Sequence, residues 1–404
     1  MFKLHPHQVR ALEQTTNFNR CAFYLDMGLG KTFVGSEKAR LLRRPILLIC
    51  PKSLVSTWVN HFNTHYTYLT VRDFTKDRKM DPHVADVWIT TYDLIWRRNI
   101  DLKDYTLILD ESSYIQNETS KRTKAILKLK PKNVILLSGT PTAGCYERLY
   151  SQIKLLGWDI SKRDYWDRYV DFILMDMKVG FKIPKVIGYK HVDELKSKLS
   201  DHGCVFMKSE DVLDLPEQVE INISCDAPRE LETFKKNSLV QIQGKTLVGD
   251  MALNKLLYTR QLCSIYCNDK LEKLKDLIES TEDRLIIFYN FTEEVNAIRR
   301  LTKRPISEVN GSVKDLTNYE ERSDSITLIQ YQSGSMGLNL QLANKIIYFS
   351  PTLSAEQYLQ SKKRTHRLGQ SRSCFYYHLI CDIEYDIYDT LDNREDYTLK
   401  LFER

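Results

Sequence analysis

Two glycines and a lysine early in the chain have the types and spacing that bind phosphate. Residues 25–32 read LDMGLGKT and lie between an apolar run and a helix-compatible stretch. Gly28 and Gly30 let the backbone turn sharply near an anion, and a helix that begins there directs free N–H groups towards it. Lys31 can reach the β- and γ-phosphates of a nucleotide, and Thr32 can place its hydroxyl on Mg²⁺. The segment predicts a nucleotide site. The alternative is a turn without a ligand, because leucine replaces the first glycine of the strict P-loop pattern.

Two adjacent carboxylates, Asp110 and Glu111, follow a run of strand-forming residues in the sequence TLILDES, and Asp110 lies 79 residues after Lys31. In P-loop proteins the first acid at a strand end holds Mg²⁺ and the second polarises the attacking water. Asp110 fits the first role and Glu111 the second. The alternative is a strand that ends in a solvated acidic turn. The SGTPT segment at residues 138–142 follows another apolar run, and its hydroxyls could bond to these carboxylates or form a simple Gly-Pro turn.

A basic segment late in the chain supplies a second set of candidate residues. Residues 357–370 read QYLQSKKRTHRLGQ, and on a helix Arg364 and Arg367 would share one face. Such arginines can stabilise the charge that develops in phosphoryl transfer, an effect of about 10³–10⁵ in rate. The alternative is a solvated basic helix face. Upstream, Gly334 and Gly337 in SGSMGLNL allow a tight strand-to-helix entry where backbone N–H groups face a phosphate.

The elements that must position these residues are indicated by apolar runs of strand length. In the first part of the chain the runs are residues 21–25, 45–50, 87–90, 106–109 and 134–137. Continuous runs of this length are typical of buried parallel strands, and their alternation with helix-compatible stretches predicts a doubly wound α/β lobe.

After residue 145 the alternation of apolar runs with helix-compatible stretches is lost, and it returns after residue 268. Residues 146–268 mix aromatic and charged side chains and predict mostly helices, with extended pieces at 203–207 and 218–224. Residues 269–404 predict a second α/β lobe, with a helix at 271–280 and strands at 284–288, 326–330, 345–349 and 373–380.

Composition bounds the class of protein. The chain has 404 residues, 42% of them hydrophobic. A chain of this length usually forms more than one hydrophobic core, so we expect at least two domains. No apolar run reaches about 18 residues, and the beginning lacks the apolar segment of a secretory signal, so we expect a cytoplasmic protein. The nine cysteines form no Cys-x-x-Cys pair, which argues against structural zinc. The net charge of +6 barely favours a nucleic-acid partner by itself.

In this order the motifs resemble those of superfamily two helicases, and more narrowly the Swi/Snf-type DNA translocases. LHPHQ around Gln8 resembles the adenine-recognising glutamine motif, and DMGLGKT, DESSYIQN and SGTPT resemble motifs I, II and III. CPKSLVSTW and ITTYDLI resemble motif Ia and the nucleic-acid-contacting motif after it. RLIIFYNF, QYQSGSMGLNL and QSKKRTHRLGQ resemble motifs IV, V and VI, and the ending HRLGQ is specific to this branch.

The resemblance implies a fold of two tandem RecA-like P-loop lobes that hold ATP and Mg²⁺. It places the first lobe at residues 1–225 with a helical insertion at about 146–202, a helical linker at 226–268, and the second lobe at 269–404. The implied catalytic residues are Lys31, Asp110, Glu111, Arg364 and Arg367. The implied nucleotide-binding residues are Gln8, Gly28, Gly30, Lys31, Thr32 and Gly337, with Thr32 and Asp110 on the metal. The implied contacts to the nucleic-acid backbone are Lys52, Ser53, Thr90, Thr91, Ser333 and Gly334.

The function implied is ATP hydrolysis that moves the protein along DNA or remodels DNA, duplex or branched, largely independent of sequence. A helicase that unwinds branched DNA or R-loops shares the same motifs, and only a strand-separating element would distinguish it. An ATP-switched nucleic-acid clamp or assembly factor and an RNA helicase are further candidate functions. We expect a monomer, and a compact form of the kind that phages or mobile elements encode, acting in replication or repair.

Overall fold

The computed structural model describes residues 3–77, 79–81, 83–142, 145–176, 182–334 and 338–393. The chain divides into two compact units, Met1–Leu213 and Asp214–Arg404. Each unit has a seven-stranded sheet of its own, which confirms the α/β class with two tandem RecA-like lobes.

The first unit is built on parallel strands that alternate with helices. Its strands are β1 (Arg20–Leu25), β2 (Ile46–Cys50), β3 (Val71–Asp73), β4 (Val87–Thr91), β5 (Thr106–Asp110), β6 (Asn133–Ser138), β7 (Val170–Asp176), β8 (Lys182–Tyr189) and β9 (Cys204–Met207). Its helices are α1 (Pro6–Gln14), α2 (Lys31–Leu42), α3 (Val55–His65), α4 (Lys121–Lys128), α5 (Tyr150–Leu156), α6 (Lys162–Tyr169), α7 (Val192–Asp201) and α8 (Ser209–Val212). Short 3-10 turns cover Lys52–Leu54, Ile95–Arg97, Ser112–Ile115 and Tyr146–Leu149.

The strand order of the first sheet brings the predicted motifs to one edge. The order is β3-β4-β2-β5-β6-β1-β9, and every pair in it is parallel. Strands β5, β6 and β1 are therefore neighbours, and the two carboxylates, the SGTPT segment and the glycine-rich loop follow their carboxyl ends. Ligands of open parallel sheets bind at this edge.

The five apolar runs of the first lobe are confirmed as strands because they are buried on both faces of the sheet. In β2, Leu47 and Ile49 pack into one apolar layer, whereas Ile46, Leu48 and Cys50 pack into the opposite layer. Successive residues of a strand point to opposite faces, so a strand covered by helices on both sides must be apolar throughout.

The second unit repeats this plan. Its strands are β10 (Gln218–Cys225), β11 (Leu239–Ile242), β12 (Lys245–Val248), β13 (Leu285–Tyr289), β14 (Ile306–Val309), β15 (Lys314–Asp315), β16 (Ile326–Gln330), β17 (Lys345–Tyr348) and β18 (Cys374–Cys381). Its helices are α9 (Arg229–Asn237), α10 (Ala252–Leu262), α11 (Asn268–Glu279), α12 (Thr292–Leu301), α13 (Thr317–Glu321), α14 (Tyr331–Gly334), α15 (Ala355–Lys362) and α16 (Tyr385–Asp392), with a 3-10 turn at Asp382–Glu384. The sheet order is β10-β18-β17-β13-β16-β14-β15, parallel except for β14 and β15.

The predicted lobe boundary is wrong by one strand. The prediction assigns residues 214–225 to the first lobe, but β10 pairs with β18 over eight residues and joins the second sheet. The segment 226–268, predicted as a helical linker, lies within the second unit and includes the antiparallel pair β11–β12.

The expectation of a helical insertion at residues 146–202 is also incomplete. Helices α5, α6 and α7 are present, but β7 and β8 form an antiparallel two-stranded ribbon between α6 and α7. In the part of the chain that the structure describes, no helix is long and apolar enough to cross a membrane.

Candidate functional site

The glycine-rich loop connects β1 to α2 in the geometry that its sequence predicts. Gly28 and Gly30 have φ angles of +88° and +74°, and α2 begins at Lys31 directly after Gly30. This left-handed conformation favours glycine because a Cβ atom costs about 1–2 kcal/mol there. The Lys31 ammonium donates a hydrogen bond to the Leu25 carbonyl at 3.1 Å. The loop thus places the first backbone N–H groups of α2 and the Lys31 ammonium close together at the beginning of the helix.

The predicted adenine-recognising residue, Gln8, lies against this loop. Its side chain is buried, and its amide nitrogen donates to the Leu29 carbonyl at 3.1 Å while its amide oxygen accepts from the His5 backbone N–H at 2.9 Å. A Cβ atom on Gly30 would lie 2.3 Å from the Gln8 nitrogen. A side chain at position 30 would therefore have to displace the Gln8 amide, and the left-handed φ of Gly30 also favours glycine.

Asp110 is a buried carboxylate at the end of β5. Oδ2 accepts a hydrogen bond from the Trp58 indole N–H at 2.6 Å, and Oδ1 accepts from the Glu111 backbone N–H at 3.1 Å. Burial, together with the charge of Glu111, raises the pKa of Asp110 to about 7, whereas Trp58 and Lys31 act in the opposite direction. A divalent cation beside this carboxylate would favour its ionised form.

These residues fit a magnesium ion that is shared with phosphates. Mg²⁺ is usually held by one or two protein oxygens together with substrate phosphates and water. Asp110 supplies a buried carboxylate, and Thr32 stands at the second position of α2, beside Lys31. Among the described residues, no group of three or more His, Cys, Asp or Glu side chains could hold a metal.

Glu111 has a left-handed backbone conformation, with φ +53° and ψ +60°. Such a conformation costs a non-glycine residue about 1–3 kcal/mol and is concentrated at functional sites. The Tyr92 hydroxyl holds the turn by donating to the Asp110 carbonyl at 2.9 Å and the Glu111 carbonyl at 3.3 Å. The left-handed backbone of Glu111 and the hydrogen bonds from Tyr92 together fix the conformation of the turn that carries the Glu111 side chain.

A glutamine that the sequence did not indicate, Gln152 of α5, connects three of these motifs. Its amide oxygen accepts hydrogen bonds from the hydroxyls of Tyr24 at 3.0 Å and Ser112 at 2.7 Å, and its amide nitrogen donates to the Pro141 carbonyl at 3.0 Å. Tyr24 precedes the glycine-rich loop, Ser112 follows the two carboxylates, and Pro141 belongs to SGTPT. No local pattern marks this residue, because its partners come from three separate strand ends.

The loop is also joined to the end of the first unit. Asp26 accepts hydrogen bonds at Oδ2 from the Ser209 backbone N–H at 3.1 Å and from the Ser209 hydroxyl at 2.8 Å. Ser209 begins α8, four residues before the boundary between the units at Leu213.

The helix predicted for the two arginines is wrong, because α15 ends at Lys362, before both of them. The Arg364 carbonyl accepts from the Leu340 backbone N–H at 3.2 Å, and the Arg367 guanidinium donates to the Leu338 carbonyl at 3.4 Å. The segment thus leaves the helix to bind the end of the preceding motif. Arg364 is buried, and burial also lowers the pKa of Arg367.

The ending HRLGQ has a structural role in the second unit. The His366 ring nitrogen Nε2 is 2.8 Å from the Pro216 carbonyl, and the Gln370 amide donates to the Ala343 carbonyl at 2.9 Å. Gly337, predicted to contact the nucleotide, lies outside the described residues. Gly334 is the last residue of α14.

The predicted nucleic-acid contacts differ in accessibility. Lys52 is exposed and Ser53 half-buried at the beginning of the segment before α3. Lys52 and Thr91 line a cavity of about 660 Å³ beside β4. Thr90, Thr91 and Ser333 are buried, with 0%, 4% and 2% of their surface exposed, and their contacts to nucleic acid stay predictions.

The fold and this site define a P-loop ATPase of the helicase type. A family model described as SNF2-related domain matches residues 9–271, and a second, described as helicase conserved C-terminal domain, matches residues 269–369. The chain belongs to the SNF2-related family, within the Swi/Snf-type ATPases of superfamily two.

Similar proteins are found in bacteria and animals. YwqA of Bacillus subtilis (strain 168), named as a putative ATP-dependent helicase/translocase, is 28% identical over 86% of this chain and 42% of its own length. The SWI/SNF-related matrix-associated actin-dependent regulator of chromatin subfamily A member 1 of Mus musculus is 25% identical over 88% of this chain and 39% of its own. The chain thus spans about two fifths of the length of these relatives. The SWI2/SNF2 ATPase core of Sulfolobus solfataricus, solved in complex with dsDNA, aligns at 23% identity and a TM-score of 0.47, over 97% of this chain and 91% of that one.

Proposed function

We propose that this protein is a DNA-stimulated ATPase that moves along duplex or branched DNA. The observation that carries the proposal is the meeting of Gln8, the glycine-rich loop and Lys31 with Asp110 and Glu111 at one edge of one sheet. Membership in the SNF2-related family supports it, as does the helicase/translocase activity for which the Bacillus relative is named.

The proposed chemistry is the hydrolysis of ATP. Gln8 recognises the base, and Lys31 with the N–H groups of α2 binds the phosphates. Mg²⁺, when bound at Thr32 and Asp110, neutralises charge on the phosphates. Glu111 orients the attacking water and accepts its proton. Arg364 and Arg367 of the second unit are proposed to stabilise the negative charge that develops in phosphoryl transfer.

The proposed DNA contacts are to the backbone and carry little sequence information. Lys52 is exposed, Ser53 is half-buried, and Thr91 is buried but lines a cavity that Lys52 also lines. Thr90, Ser333 and Gly334 stay candidates as well. Binding of this kind weakens steeply as the salt concentration rises. A monomeric state, a cytoplasmic location, a phage or mobile-element origin and a role in replication or repair stay predictions.

The first experiment measures ATP hydrolysis without nucleic acid and with single-stranded, duplex and branched DNA and RNA. We expect strong stimulation by duplex or branched DNA, abolished by Lys31→Ala and retained by Lys245→Ala, which removes an exposed lysine of β12. Stimulation only by RNA would instead indicate an RNA helicase.

A second experiment separates a motor from an ATP-switched clamp. We expect the protein to displace the third strand of a DNA triplex in the presence of ATP, and Glu111→Gln to bind ATP and DNA without displacing it. Hydrolysis without any strand displacement by the wild-type protein would contradict translocation.

A further inference from the structure

Helix α4 and the turn after it form a strongly basic surface on the first unit. Residues 119–132 contain six basic side chains and no acidic one, whereas the whole chain has 59 basic and 53 acidic side chains. The sixth, Arg122, lies 3.9 Å from the Asp93 carboxylate. The other five are exposed lysines without an ion pair among the described residues: Lys121, Lys124, Lys128, Lys130 and Lys132.

The charges on α4 oppose the stability of the helix that carries them. Lys121, Lys124 and Lys128 are spaced i, i+3 and i+7, so they share one face, where like charges repel. Lys121 also begins the helix, at the end whose dipole favours anions, and the first turn contains no acidic residue. The opposite face is buried through Thr123 and Ile126. Natural proteins break such local rules at functional sites, so the stripe of lysines indicates a binding surface for an anion.

An exposed tryptophan extends this surface beside its first lysine. Trp96 is 39% exposed, and its ring centroid lies 4.4 Å from the guanidinium carbon of Arg97 and 4.8 Å from the ammonium of Lys121. Cations within about 6 Å of an indole ring are attracted to it, so one ring holds two like charges. Arg97 is also exposed and has no ion pair in the part of the chain that the structure describes. Two cations brought together without a carboxylate are suited to binding a phosphate group.

One end of the basic surface reaches the predicted DNA contacts. Asp93, the partner of Arg122, lines the cavity that Lys52 and Thr91 also line. A ligand that occupies the whole surface therefore begins beside the candidate contacts of the motor. It must also be a long polyanion, because the unpaired lysines of residues 121–132 would contact it one after another. Duplex DNA has this chemistry, with one negative charge per about 1.7 Å of its length.

The other end of the basic surface lies at the opposite edge of the sheet. The Lys132 backbone N–H donates to the Tyr105 carbonyl at 3.0 Å, just before β5 begins, whereas Asp110 ends this strand at the candidate ATP site. The five residues of β5 separate the two edges by about 17 Å. A DNA backbone bound along the edge with the motor motifs passes Lys121 and leaves Lys132 a strand's length away. The lysines beyond α4 therefore need another segment of DNA.

We propose that α4 and the turn after it bind the phosphates of a second segment of duplex DNA, such as another arm of a branched molecule. This segment lies beside the one on which the motor moves. From Lys121 to Lys128 the helix rises about 10 Å, close to the major-groove width of about 12 Å, so the stripe can reach phosphates on both sides of the groove. The inference rests on the proposed DNA motor and adds to it a preference for branched DNA.

The test compares a short linear duplex with a three-way junction whose arms have the same length. The junction can fill both surfaces at once, whereas the duplex can fill only one. The variant is the triple substitution Lys121→Gln, Lys124→Gln, Lys128→Gln, because glutamine keeps the helix propensity of lysine. Fluorescence anisotropy, with a non-hydrolysable ATP analogue present, measures the Kd of the full chain for each DNA between about 50 and 200 mM salt.

We expect the wild-type protein to bind the junction more tightly than the duplex and with a steeper dependence on salt. Each phosphate contact contributes about 0.9 to the slope of log Kd against log salt concentration, so the triple variant should lower the slope for the junction by about 2.7. Its slope for the linear duplex should change by less than one contact, about 0.9. The rate of ATP hydrolysis at saturating linear duplex should be that of the wild type.

The control removes the same charge elsewhere. Lys196→Gln, Lys245→Gln, Lys314→Gln replaces three scattered, exposed lysines that have no ion pair among the described residues, and it should keep the wild-type slope for the junction. The thermal unfolding midpoint separates binding from a role in folding. The α4 variant should keep or raise this midpoint, because repulsion along the helix is relieved, whereas a fall of several degrees would assign the lysines a structural role.

Three binding results would overturn the inference. An unchanged slope for the junction would show that α4 does not contact DNA, and an equal fall for junction and duplex would place α4 on the motor's own segment. Binding to phosphatidylserine vesicles or polyglutamate that depends on α4, with unchanged affinity for the junction, would assign the surface to a membrane or an acidic protein. Failure of the proposed motor shows separately, as hydrolysis by the wild-type protein that linear duplex does not stimulate.

Discussion

Replacing Trp58 by phenylalanine should shift the pH dependence of ATP hydrolysis to higher pH. The indole N–H of Trp58 donates to Asp110 at 2.6 Å and stabilises the ionised carboxylate, which is the form that binds Mg²⁺. Phenylalanine keeps an aromatic ring where Trp58 packs against His61 and Phe62, but it has no donor. The pKa of Asp110, already raised to about 7 mainly by burial, should therefore rise further.

The size of the shift follows from the value of one hydrogen bond to a charged group, about 1.5–3 kcal/mol. Since one pKa unit corresponds to about 1.36 kcal/mol, the pKa of Asp110 should rise by about one to two units. Protonation weakens metal binding, so hydrolysis is lost as the pH falls through this pKa. At pH 7 the ionised fraction of Asp110, and the rate with it, should fall about 5- to 50-fold, and at pH 9 the variant should recover much of its rate.

The assay is the rate of DNA-stimulated hydrolysis from pH 5.5 to 9.5 at sub-saturating Mg²⁺, because excess metal would hold Asp110 ionised. Trp88→Phe is the matched control. Trp88 lies in β4 and is as buried as Trp58 of α3, but its indole nitrogen has no hydrogen-bond partner among the described residues. An equal loss of rate at every pH, or a midpoint that does not move, would refute the reasoning.

Two further substitutions test the loop and the second core. Gly30→Ala should weaken ATP binding, because the new Cβ atom would lie 2.3 Å from the Gln8 amide nitrogen and displace it. Titration with a fluorescent ATP analogue measures this binding. Gly244→Ala is the control, since Gly244 has a similar φ of +77° but no atom within 4 Å of its Cβ position, and it should leave ATP binding intact. Lys270→Met should lower the free energy of unfolding by about 3–5 kcal/mol, since it leaves the buried Glu384 carboxylate without its ammonium partner at 2.5 Å. Denaturant unfolding measures this loss, which Lys270→Met with Glu384→Leu should largely restore; an unrestored loss would point to packing instead.

The buried parallel strands are predictable because burial on both faces demands a continuous apolar run. The run at residues 106–109 becomes β5 with one more residue, and the run at 326–330 matches β16. The ribbon β7–β8 is not predictable in this way. Its residues FILM are apolar in succession yet largely exposed, and Pro184 argues against a strand.

The residues that would act on the nucleotide are predictable from the sequence, but the residues that hold them in place are not. Lys31 and Asp110 lie in local sequence patterns that indicate their roles. Trp58 reaches Asp110 only because β2 and β5 are neighbours, and no local segment of the sequence determines the order of the strands. The helix prediction for the arginine pair is wrong for a similar reason. Arg364 bonds through its carbonyl to Leu340, and Gly369, at φ +96°, follows in a left-handed turn.

The pairing of β10 with β18 has a practical consequence for anyone who divides this chain. The second family model begins at residue 269, and a fragment cut there would omit the eight residues of β10. The whole length of β18, from Cys374 to Cys381, would then become a free edge, and unpaired apolar edges of this length template aggregation. A second unit produced alone should start at Asp214, where its own sheet is complete.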